Sequence, residues 1–405
     1  MSRNVPNLRF KGFEDEWKEK KLINFLSESR IPGSNGSKAK KLTVKLWAKG
    51  VVPKKEIYEG SDNTKYYTRK AGQLIYGKLD FLNCAFGIVP DHLDGYESTV
   101  DAPAFDIKNI NPYFLFSKII QKNFYKRNGD IADGSRKAKR IHSDVFLNMS
   151  IKVPSLQEQE KIANFLSKVD SIIEKQEKKV EYWNSYKKGM MQKIFSQKIR
   201  FKDENGRDYP EWEEEKLGGI GQTYTGLSGK TKDDFGFGNG KYITYVNIFK
   251  NTKVDINMFD LVDIKKDEKQ NKVLKGDILF TASSETPNEV GMASVCDNNI
   301  ENLYLNSFCF GFRLNSKKDI DYIFIGYLLR SPSLRKKISI LAQGSTRYNL
   351  SKSEFMKIKI QIPCLEEQRK IVNFLSNIDN IIEKENKKLE ELKQWKKGLL
   401  QQMFV

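Results

Sequence analysis

The residue types that build most metal and catalytic centres are scarce in this 405-residue sequence. It contains only two histidines, His92 and His142, and four cysteines, Cys84, Cys296, Cys309 and Cys364. The cysteines show no C-x-x-C spacing and have no histidine nearby, so we expect buried free thiols in a reducing compartment, not disulfides or zinc ligands. Two histidines also leave little from which to build a metal site or a histidine-based triad.

Long hydrophobic runs are absent as well. No stretch approaches the roughly 20 apolar residues that a membrane-spanning helix requires. The N-terminal sequence MSRNVPNLRF lacks the apolar core of a signal peptide. These features predict a cytoplasmic protein without a membrane partner.

Acidic residues are too few to balance the basic ones. The chain has 70 Lys and Arg against 52 Asp and Glu, a net charge of +18, and residues 1–153 hold 28 basic and 17 acidic side chains. Such an excess indicates a partner of opposite charge, most simply nucleic acid, although a solvated basic surface explains any single cluster equally well.

The most informative feature that is present is an internal repeat. The stretch PSLQEQEKIANFLSKVDSIIEKQEKKVEYWNSYKKGMMQKIF, from residue 154, is matched without a gap by PCLEEQRKIVNFLSNIDNIIEKENKKLEELKQWKKGLLQQMF, from residue 363. Apolar residues recur every three or four positions in both copies, which predicts two helices on the order of 60 Å long, each with a coiled-coil seam. The predicted seam residues are Ile162, Leu166, Val169, Ile173, Gln176, Val180 and Trp183 in the first copy and Ile371, Leu375, Ile378, Ile382, Glu385, Leu389 and Leu392 in the second.

Some seam positions are polar in both copies. Gln176 and Glu385 occupy one heptad site, and Lys187 and Lys396 occupy another. One interpretation is a locally hydrated seam. The other is that Gln176 meets Glu385 in an antiparallel pair and fixes its register, which would relate the two halves by a pseudo-two-fold axis.

The segments that precede the two helices also resemble each other. LRFKGFEDEWKEKKL and IRFKDENGRDYPEWEEEKL open them, KAGQLIYGK and LKGDILFTA each predict a turn and a short buried strand, and NPYFLFSKII and DIDYIFIGYLL predict short helices. We therefore predict an α+β fold with a mixed domain over 1–153, a helix over 154–199, a second mixed domain over 200–362 and a second helix over 363–405. The loops between these landmarks differ, which indicates either different contacts or drift after duplication.

The helical repeat, the P-x-L-x-E-Q-x-K-I pattern and the stretch GSTRYNLSKSEF together resemble the specificity (S) subunit of type I restriction-modification systems. The resemblance covers the whole chain in the order target-recognition domain, central conserved helix, second target-recognition domain, distal conserved helix. The first half departs from the pattern, because it has GSRKAKRIHSD where the second has GSTRYNLSK. The role of this turn is therefore carried over more firmly to Thr346 and Arg347 than to Arg136 and Lys137.

The resemblance implies a division of labour. Each target-recognition domain reads one half of a bipartite double-stranded DNA target, while the helix pair sets the spacer and binds two methyltransferase (M) subunits, which two restriction (R) subunits can join. In that family the M subunits carry S-adenosylmethionine and methylate adenine at N6, whereas the R subunits use ATP and magnesium. The S subunit itself is expected to hold no catalytic residue, metal or cofactor.

Candidate DNA contacts are basic, aromatic and hydroxyl side chains near glycine turns or in basic clusters, because such groups can contact phosphates and base edges. In the first domain they are Lys65, Tyr67, Arg69, Lys70, Tyr125, Lys126, Arg127, Arg136, Lys137, Lys139 and Arg140; in the second they are Ser228, Lys230, Thr231, Lys232, Thr346, Arg347 and Tyr348.

Enzyme motifs in the chain are incomplete. GLSGKT, at 226–231, resembles a phosphate-binding loop but has Tyr224 where the motif requires glycine, and NPY, at 111–113, lacks the second proline of the N-P-P-Y methyltransferase type. A coiled-coil adaptor whose basic domains bind other proteins is the alternative from a different functional class.

Separate reading by the two domains gives a first prediction. Replacing residues 200–362 with the corresponding domain of another family member should change one half of the recognised DNA sequence and leave the other half intact. Mapping of the methylated sites made by the chimaera checks this, and a change in both halves would contradict it.

Overall fold

The computed structural model describes residues 4–55, 60–129, 140–315, 319–344 and 347–405. The chain divides into two compact units, the first formed by Met1–Glu177 with Lys387–Val405 and the second by Lys178–Asn386. The division falls within both copies of the long repeat. Four predicted DNA contacts lie outside the described residues, namely Arg136, Lys137, Lys139 and Thr346.

The first unit is a mixed fold around a four-stranded sheet. Strands β1 to β11 span Lys18–Lys21, Leu26–Ser29, Pro32–Asn35, Leu42–Val44, Val51–Pro53, Lys65–Thr68, Leu74–Tyr76, Phe86–Ile88, Glu97–Ser98, Ala104–Ile107 and Ser150–Val153. Helices α1 to α3 span Pro112–Ile119, Lys122–Gly129 and Ser143–Asn148, and α4 spans Leu156–Phe195. The sheet order is β2-β10-β7-β8, and β1 pairs separately with β11. Helix α3 packs on this sheet through Phe146, whose ring centroid lies 4.6 Å from that of Tyr76 in β7.

The second unit has the same plan. Strands β12 to β23 span Glu213–Lys216, Gly221–Thr225, Phe235–Ile243, Phe259–Val262, Ile278–Thr281, Ser283–Ser284, Ala293–Val295, Leu303–Leu305, Cys309–Leu314, Ala342–Gln343, Tyr348–Leu350 and Lys359–Ile362. Helices α5 to α10 span Leu217–Ile220, Tyr245–Lys250, Tyr322–Arg330, Pro332–Ile340, Lys352–Met356 and Leu365–Gln402. The sheet order is β13-β20-β16-β18, and β12 pairs separately with β23. Helix α9 packs on this sheet through Phe355, whose ring centroid lies 4.8 Å from that of Phe280 in β16.

The shared sequence landmarks form equivalent elements, as predicted. Gly72 and Gly276 adopt left-handed φ angles of 81° and 91°, which favour glycine, and each leads through a turn into a buried strand, β7 or β16. The predicted short helices are α1 and α7, and the final strands before the long helices are β11 and β23.

The additional sheets of the two units differ. The first unit adds a β3-β6-β9 sheet and a β4-β5 hairpin, whereas the second adds β15-β14-β19 and β17-β22-β21 sheets. In the second unit β14 pairs in parallel with β19. The segments that align poorly in sequence therefore form different structures on a common scaffold.

The two long predicted helices are confirmed as α4, with 40 residues, and α10, with 38. Each begins two residues after its proline, Pro154 or Pro363. Among the predicted seam residues, Val180, Trp183, Ile382 and Leu392 are half-buried and the others are buried. The apolar stripe is thus covered along both helices.

Ion pairs show that the helix segments run antiparallel in each unit. In the first unit Asp170 pairs with Lys396 at 2.5 Å and Glu177 pairs with Lys393 at 2.8 Å. Residue numbers therefore rise along α4 while those of the partners in α10 fall. The second unit repeats this arrangement, because Lys179 pairs with Glu385 at 2.7 Å and Lys187 with Asp379 at 2.5 Å.

The polar seam positions are therefore more than hydrated gaps. Lys187 and Lys396 form part-buried ion pairs, and Glu385 binds Lys179. Gln176 belongs to the first unit and Glu385 to the second, and the pairing of these two residues stays a prediction.

A buried glutamate anchors the start of α4 to the N-terminal segment of the first unit. Glu158 is 1% exposed and accepts hydrogen bonds from Arg9 Nε and Nη2, both at 2.8 Å, and from Trp17 Nε1 at 3.4 Å. The bidentate contact raises the pKa of Arg9. The glutamate charge thus has a specific partner in addition to the favourable end of the helix dipole.

The second unit repeats this anchor at α10. Glu367 is fully buried and accepts from Arg200 Nε at 3.3 Å, from Arg200 Nη2 at 2.8 Å and from Trp212 Nε1 at 3.1 Å. The basic and aromatic residues that open each half are therefore the partners of a helix glutamate that lies more than 140 residues later.

The thiols mostly match the sequence-based expectation. Cys84, Cys296 and Cys309 are buried and free, whereas Cys364 is only partly buried. Burial raises the pKa of Cys84 to about 11 and that of Cys309 to about 12, so both remain protonated at neutral pH. No helix in the described part of the chain has the length and apolar character needed to cross a bilayer.

The seam gives a stability prediction with an adjacent control. Ile173 is 9% exposed on the seam, whereas Ile172 is 47% exposed. Ile173→Asp should lower the free energy of unfolding by about 3–5 kcal/mol, because an unpaired carboxylate replaces a buried side chain. Ile172→Asp should change it by about 0.5 kcal/mol or less. Thermal denaturation of both variants checks this, and equal melting temperatures would argue against a packed seam at Ile173.

Candidate nucleic-acid interface

The first predicted contacts lie on and just after β6, the central strand of the β3-β6-β9 sheet. Lys65 and Lys70 are exposed, and Tyr67 is half-buried. Exposed ammonium groups beside an aromatic side chain can contact phosphate oxygens and sugars. These three residues remain candidates for DNA contact.

Arg69 has a structural position instead, which corrects its prediction as a DNA contact. It is 2% exposed, and its guanidinium donates to Ser98 Oγ at 2.7 Å, Ser29 O at 2.9 Å and Ala102 O at 3.2 Å. Burial lowers the pKa of Arg69 to about 10. The side chain ties the end of β2 to the segment that precedes β10, and its donors already have acceptors within the protein.

Helix α2 carries two further candidates. Lys126 and Arg127 are exposed, and Lys126 Nζ lies 5.9 Å from the ring centroid of Tyr125. Tyr125 itself is 7% exposed, and burial raises its pKa. The tyrosine therefore supports the helix, whereas Lys126 and Arg127 face solvent.

Arg140 lies beside the chain segments that follow β7 and precede β10, the two inner strands of the first unit's sheet. Its Nε is 3.5 Å from Asp101 Oδ1, and both side chains are almost half exposed. The next residue, Ile141, donates its N–H to Lys78 O, and Lys78 donates its own N–H to Asp101 O. This backbone ladder holds Arg140 beside the chain that follows β7.

The glycine-bracketed loop of the second unit also contains one structural lysine. The Lys230 side chain is 4% exposed, and its Nζ donates to Glu268 Oε2 and Asp263 O, each at 2.5 Å. This ammonium group binds the segment that follows β15. The prediction of a DNA contact is therefore corrected for Lys230.

The neighbouring loop residues stay exposed. Ser228 is held by Gln270, which accepts from its N–H at 3.1 Å, and Thr231 caps a short helical turn through Asp234. Lys232 is exposed next to that cap. Its charge is presented by an ordered loop, as a phosphate contact requires.

Arg347 and an unpredicted aromatic residue form the most distinctive surface in the second unit. The Arg347 guanidinium lies 5.2 Å from the ring centroid of Phe308, which is 54% exposed. Tyr348, the first residue of β22, is half-buried and pairs with Ser284 of β17. No local pattern marks Phe308, because its position depends on a strand pairing with residues far away in the sequence.

Backbone hydrogen bonds place these two surfaces at equivalent points of the common scaffold. In the second unit Leu350 donates its N–H to Ala282 O, and Ala282 donates to Phe308 O. The first unit has the same ladder, from Ile141 through Lys78 to Asp101.

A cation thus approaches the same structural position in both units but meets different neighbours. Arg140 lies beside the Asp101 carboxylate, whereas Arg347 lies over the Phe308 ring. A guanidinium can bind guanine or phosphate, and an exposed ring adds a stacking surface. The two units can therefore make different polar and aromatic contacts from one scaffold.

Within the described residues, no group of three or more His, Cys, Asp or Glu side chains is placed to hold a metal ion. The candidate site accordingly consists of cations, hydroxyls and aromatic rings.

Comparison with known families decides the classification. A model described as the type I restriction modification DNA specificity domain matches residues 102–182 and 209–394. The chain belongs to this S-subunit family. The two matched stretches of this S-subunit chain cover parts of both mixed domains together with α4 and α10 segments.

Curated relatives of the S-subunit chain carry the same classification. The chain is 30% identical over 282 residues to the type I restriction enzyme MjaVIII specificity subunit of Methanocaldococcus jannaschii, covering 64% of this chain and 62% of that relative. It is also 30% identical over 307 residues to the putative type I restriction enzyme MjaX specificity subunit of the same organism, covering 72% of this chain and 67% of the relative. The match thus spans less than two thirds of the MjaVIII subunit.

Solved structures share the fold of the S-subunit chain. The type I restriction-modification S subunit from M. genitalium superposes with a TM-score of 0.54 at 14% identity, over 99% of each chain. A chain from a study of complex assembly and conformational transition of the type I R-M system gives 0.55 at 18% identity, over 96% of this chain and 98% of that one.

The reassignment of Arg69 gives a paired prediction. Arg69→Met should lower the melting temperature, because four internal hydrogen bonds are lost. Lys65→Ala should leave the melting temperature unchanged. It should reduce the magnitude of the slope of log K for DNA binding against log salt concentration by about one, because one phosphate contact is lost. Thermal denaturation and salt-dependent binding to duplex DNA check both variants. A Lys65 variant with the wild-type salt slope would exclude Lys65 from the interface.

Proposed function

We propose that this S-subunit chain provides the DNA sequence specificity of a type I restriction-modification complex by reading a bipartite target. The first domain, residues 1–153, reads one half, and the second, residues 200–362, reads the other. The proposal rests on one observation: the same scaffold occurs twice, and at the equivalent positions of Asp101 and Phe308 a cation meets a carboxylate in the first unit and an aromatic ring in the second. A duplicated scaffold with unlike contact residues suits two unlike DNA sequences.

The candidate contacts divide into two groups by their surroundings. Lys65, Lys70, Lys126 and Lys232 are exposed cations and suit phosphate contacts, which supply affinity without sequence choice. Arg347 and Arg140 have partially fixed side chains and suit base contacts, because a held guanidinium loses less entropy on binding.

The helix pair, residues 154–199 with 363–405, sets the length of the spacer between the half-sites and docks two M subunits. Support comes from the aromatic side chains on the exposed faces of these helices. Tyr182 is 60% exposed and Tyr186 37%, with their rings stacked 6.2 Å apart, and Trp395 is 46% exposed. Large exposed aromatics of this kind are typical of protein interfaces.

The chemistry belongs to the partners. The M subunits bind S-adenosylmethionine and methylate adenine, two R subunits can join with ATP and magnesium, and this chain acts as a non-catalytic subunit in the cytoplasm. A coiled-coil adaptor remains the second candidate, and the family membership favours DNA specificity over it.

Single-residue variants test the reading of separate halves. The chain is co-expressed with a matching M subunit, and N6-methyladenine is mapped across the host DNA. Wild type should methylate one bipartite sequence. Arg347→Ala should relax or lose specificity in one half only, and Arg140→Ala in the other, because each truncation removes a contact worth about 1–3 kcal/mol.

Lys357→Ala is the matched control, because Lys357 is an exposed cation of the second unit that pairs locally with Glu354. It should leave the methylated sequence unchanged. Methylation without a bipartite sequence in wild type would overturn the proposal, and an adaptor would give no methylation that depends on this chain.

A further inference from the structure

Two aspartates at equivalent positions of the helical repeat each join three elements. In the first unit Lys396 Nζ of α10 lies 2.5 Å from Asp170 Oδ1 of α4, and the Tyr113 hydroxyl of α1 donates to the other oxygen, Oδ2. One carboxylate thus connects both long helices with a helix of the mixed domain.

The second unit contains the same junction. Lys187 Nζ of α4 lies 2.5 Å from Asp379 Oδ1 of α10, and the Tyr327 hydroxyl of α7 donates to Oδ2 at 2.6 Å. Lys187 Nζ also lies 5.3 Å from the ring centroid of Tyr327, which closes the triangle of contacts.

The tyrosines reach equivalent aspartates from different positions. Tyr113 is the second residue of α1, whereas Tyr327 is the sixth residue of α7. The contact is therefore present in both units although the tyrosines do not correspond in sequence. If the contact had only been inherited from the duplicated ancestor, the two tyrosines would occupy corresponding positions. Their different positions indicate that the contact with the aspartate is itself required.

The junctions are shielded more than ordinary surface ion pairs. The side chains of Lys187 and Lys396 are 16% and 27% exposed, and those of Asp379 and Asp170 are 32% and 38% exposed. By comparison, Lys393 and its partner in the other helix are both more than two-fifths exposed. Burial and the adjacent carboxylates raise the pKa of Tyr113 and of Tyr327, so both hydroxyls stay protonated and donate at neutral pH.

A shift in helix register would break each junction. Sliding one helix by a residue moves the lysine about 1.5 Å along the axis, and sliding by a turn moves it about 5.4 Å. When one helix slides past the other by a whole heptad, apolar seam residues meet other apolar residues and the seam is largely preserved. A specific ion pair is lost in the same shift, because its two partners separate. The tyrosine adds an orientation constraint, since the second carboxylate oxygen is fixed to the mixed domain.

We propose that the residues of these two Lys–Asp–Tyr junctions are positioning residues. They hold each recognition domain in one register on the helix pair, and they thereby restrict the complex to one spacer length. This inference rests on the proposed bipartite reading of DNA. It assigns spacer discrimination to Lys396, Asp170 and Tyr113 in the first unit and to Lys187, Asp379 and Tyr327 in the second.

The test uses the full chain in its complex with the M subunit and a series of DNA targets. The targets carry the mapped half-sites with the native spacer or with one or two base pairs added or removed. Wild type should methylate the native spacer at least about 100-fold faster than its neighbours, and Lys187→Met with Lys396→Met should reduce this ratio to about tenfold or less, a loss of about 1.4 kcal/mol or more in spacer discrimination.

Two further variants separate positioning from general stability. Lys393→Met removes the exposed ion pair between the same helices and should retain the wild-type ratio. The fourfold charge exchange of Lys187 with Asp379 and of Lys396 with Asp170 should restore part of the ratio, because each ion pair is re-formed in reversed order while the tyrosine hydroxyl loses its carboxylate acceptor. If the methionine variants fail to fold, Tyr113→Phe with Tyr327→Phe carries the test, since it removes only the hydroxyls.

The outcomes are distinguishable. A wild-type complex that methylates no bipartite target would overturn the proposed function. A wild-type complex with one spacer, together with folded junction variants that keep the same spacer ratio, would overturn the positioning role alone. Relaxed spacing in the Lys393→Met control to the same extent would also overturn it, because any helix-to-helix contact would then suffice.

Discussion

A 40-residue helix with an apolar stripe along its length cannot remain solvated on that side, and this constraint governs the architecture of the chain. Each half of α4 is covered by the antiparallel half of α10 in the same compact unit. Each unit therefore contains one antiparallel pair of helical segments, one from α4 and one from α10. The Arg-Trp-Glu anchors at Glu158 and Glu367 then attach the opening segment of each mixed domain to the start of its helix.

Features encoded by local pattern were predictable from the sequence. The gapless repeat identified both helices and their seam, and glycine turns followed by apolar residues identified β7 and β16. These predictions succeed because helix periodicity and turn chemistry depend on residues close together in the chain. The similar order of landmarks also predicted that the two mixed domains share a scaffold.

The roles of individual charged residues were less predictable. Arg69 and Lys230 look like surface cations in sequence, but both are buried by partners 29 to 40 residues away. Phe308 carries no sequence signal, since its proximity to Arg347 depends on how β20 and β22 are placed in the fold. The local sequence identifies groups that can bind phosphate. Tertiary packing determines whether the donors of those groups already have acceptors within the protein.

The first unit is built from two separate stretches of chain, Met1–Glu177 and Lys387–Val405, while the second is continuous. Phe404 lies in the core of the first unit, with its ring centroid 5.2 Å from that of Phe114 and 6.1 Å from that of Trp17. During translation the ribosome therefore makes all of the second unit before it makes the piece that completes the first. Until the last segment of α10 has been made, the part of α4 that belongs to the first unit has no α10 segment to cover its apolar stripe.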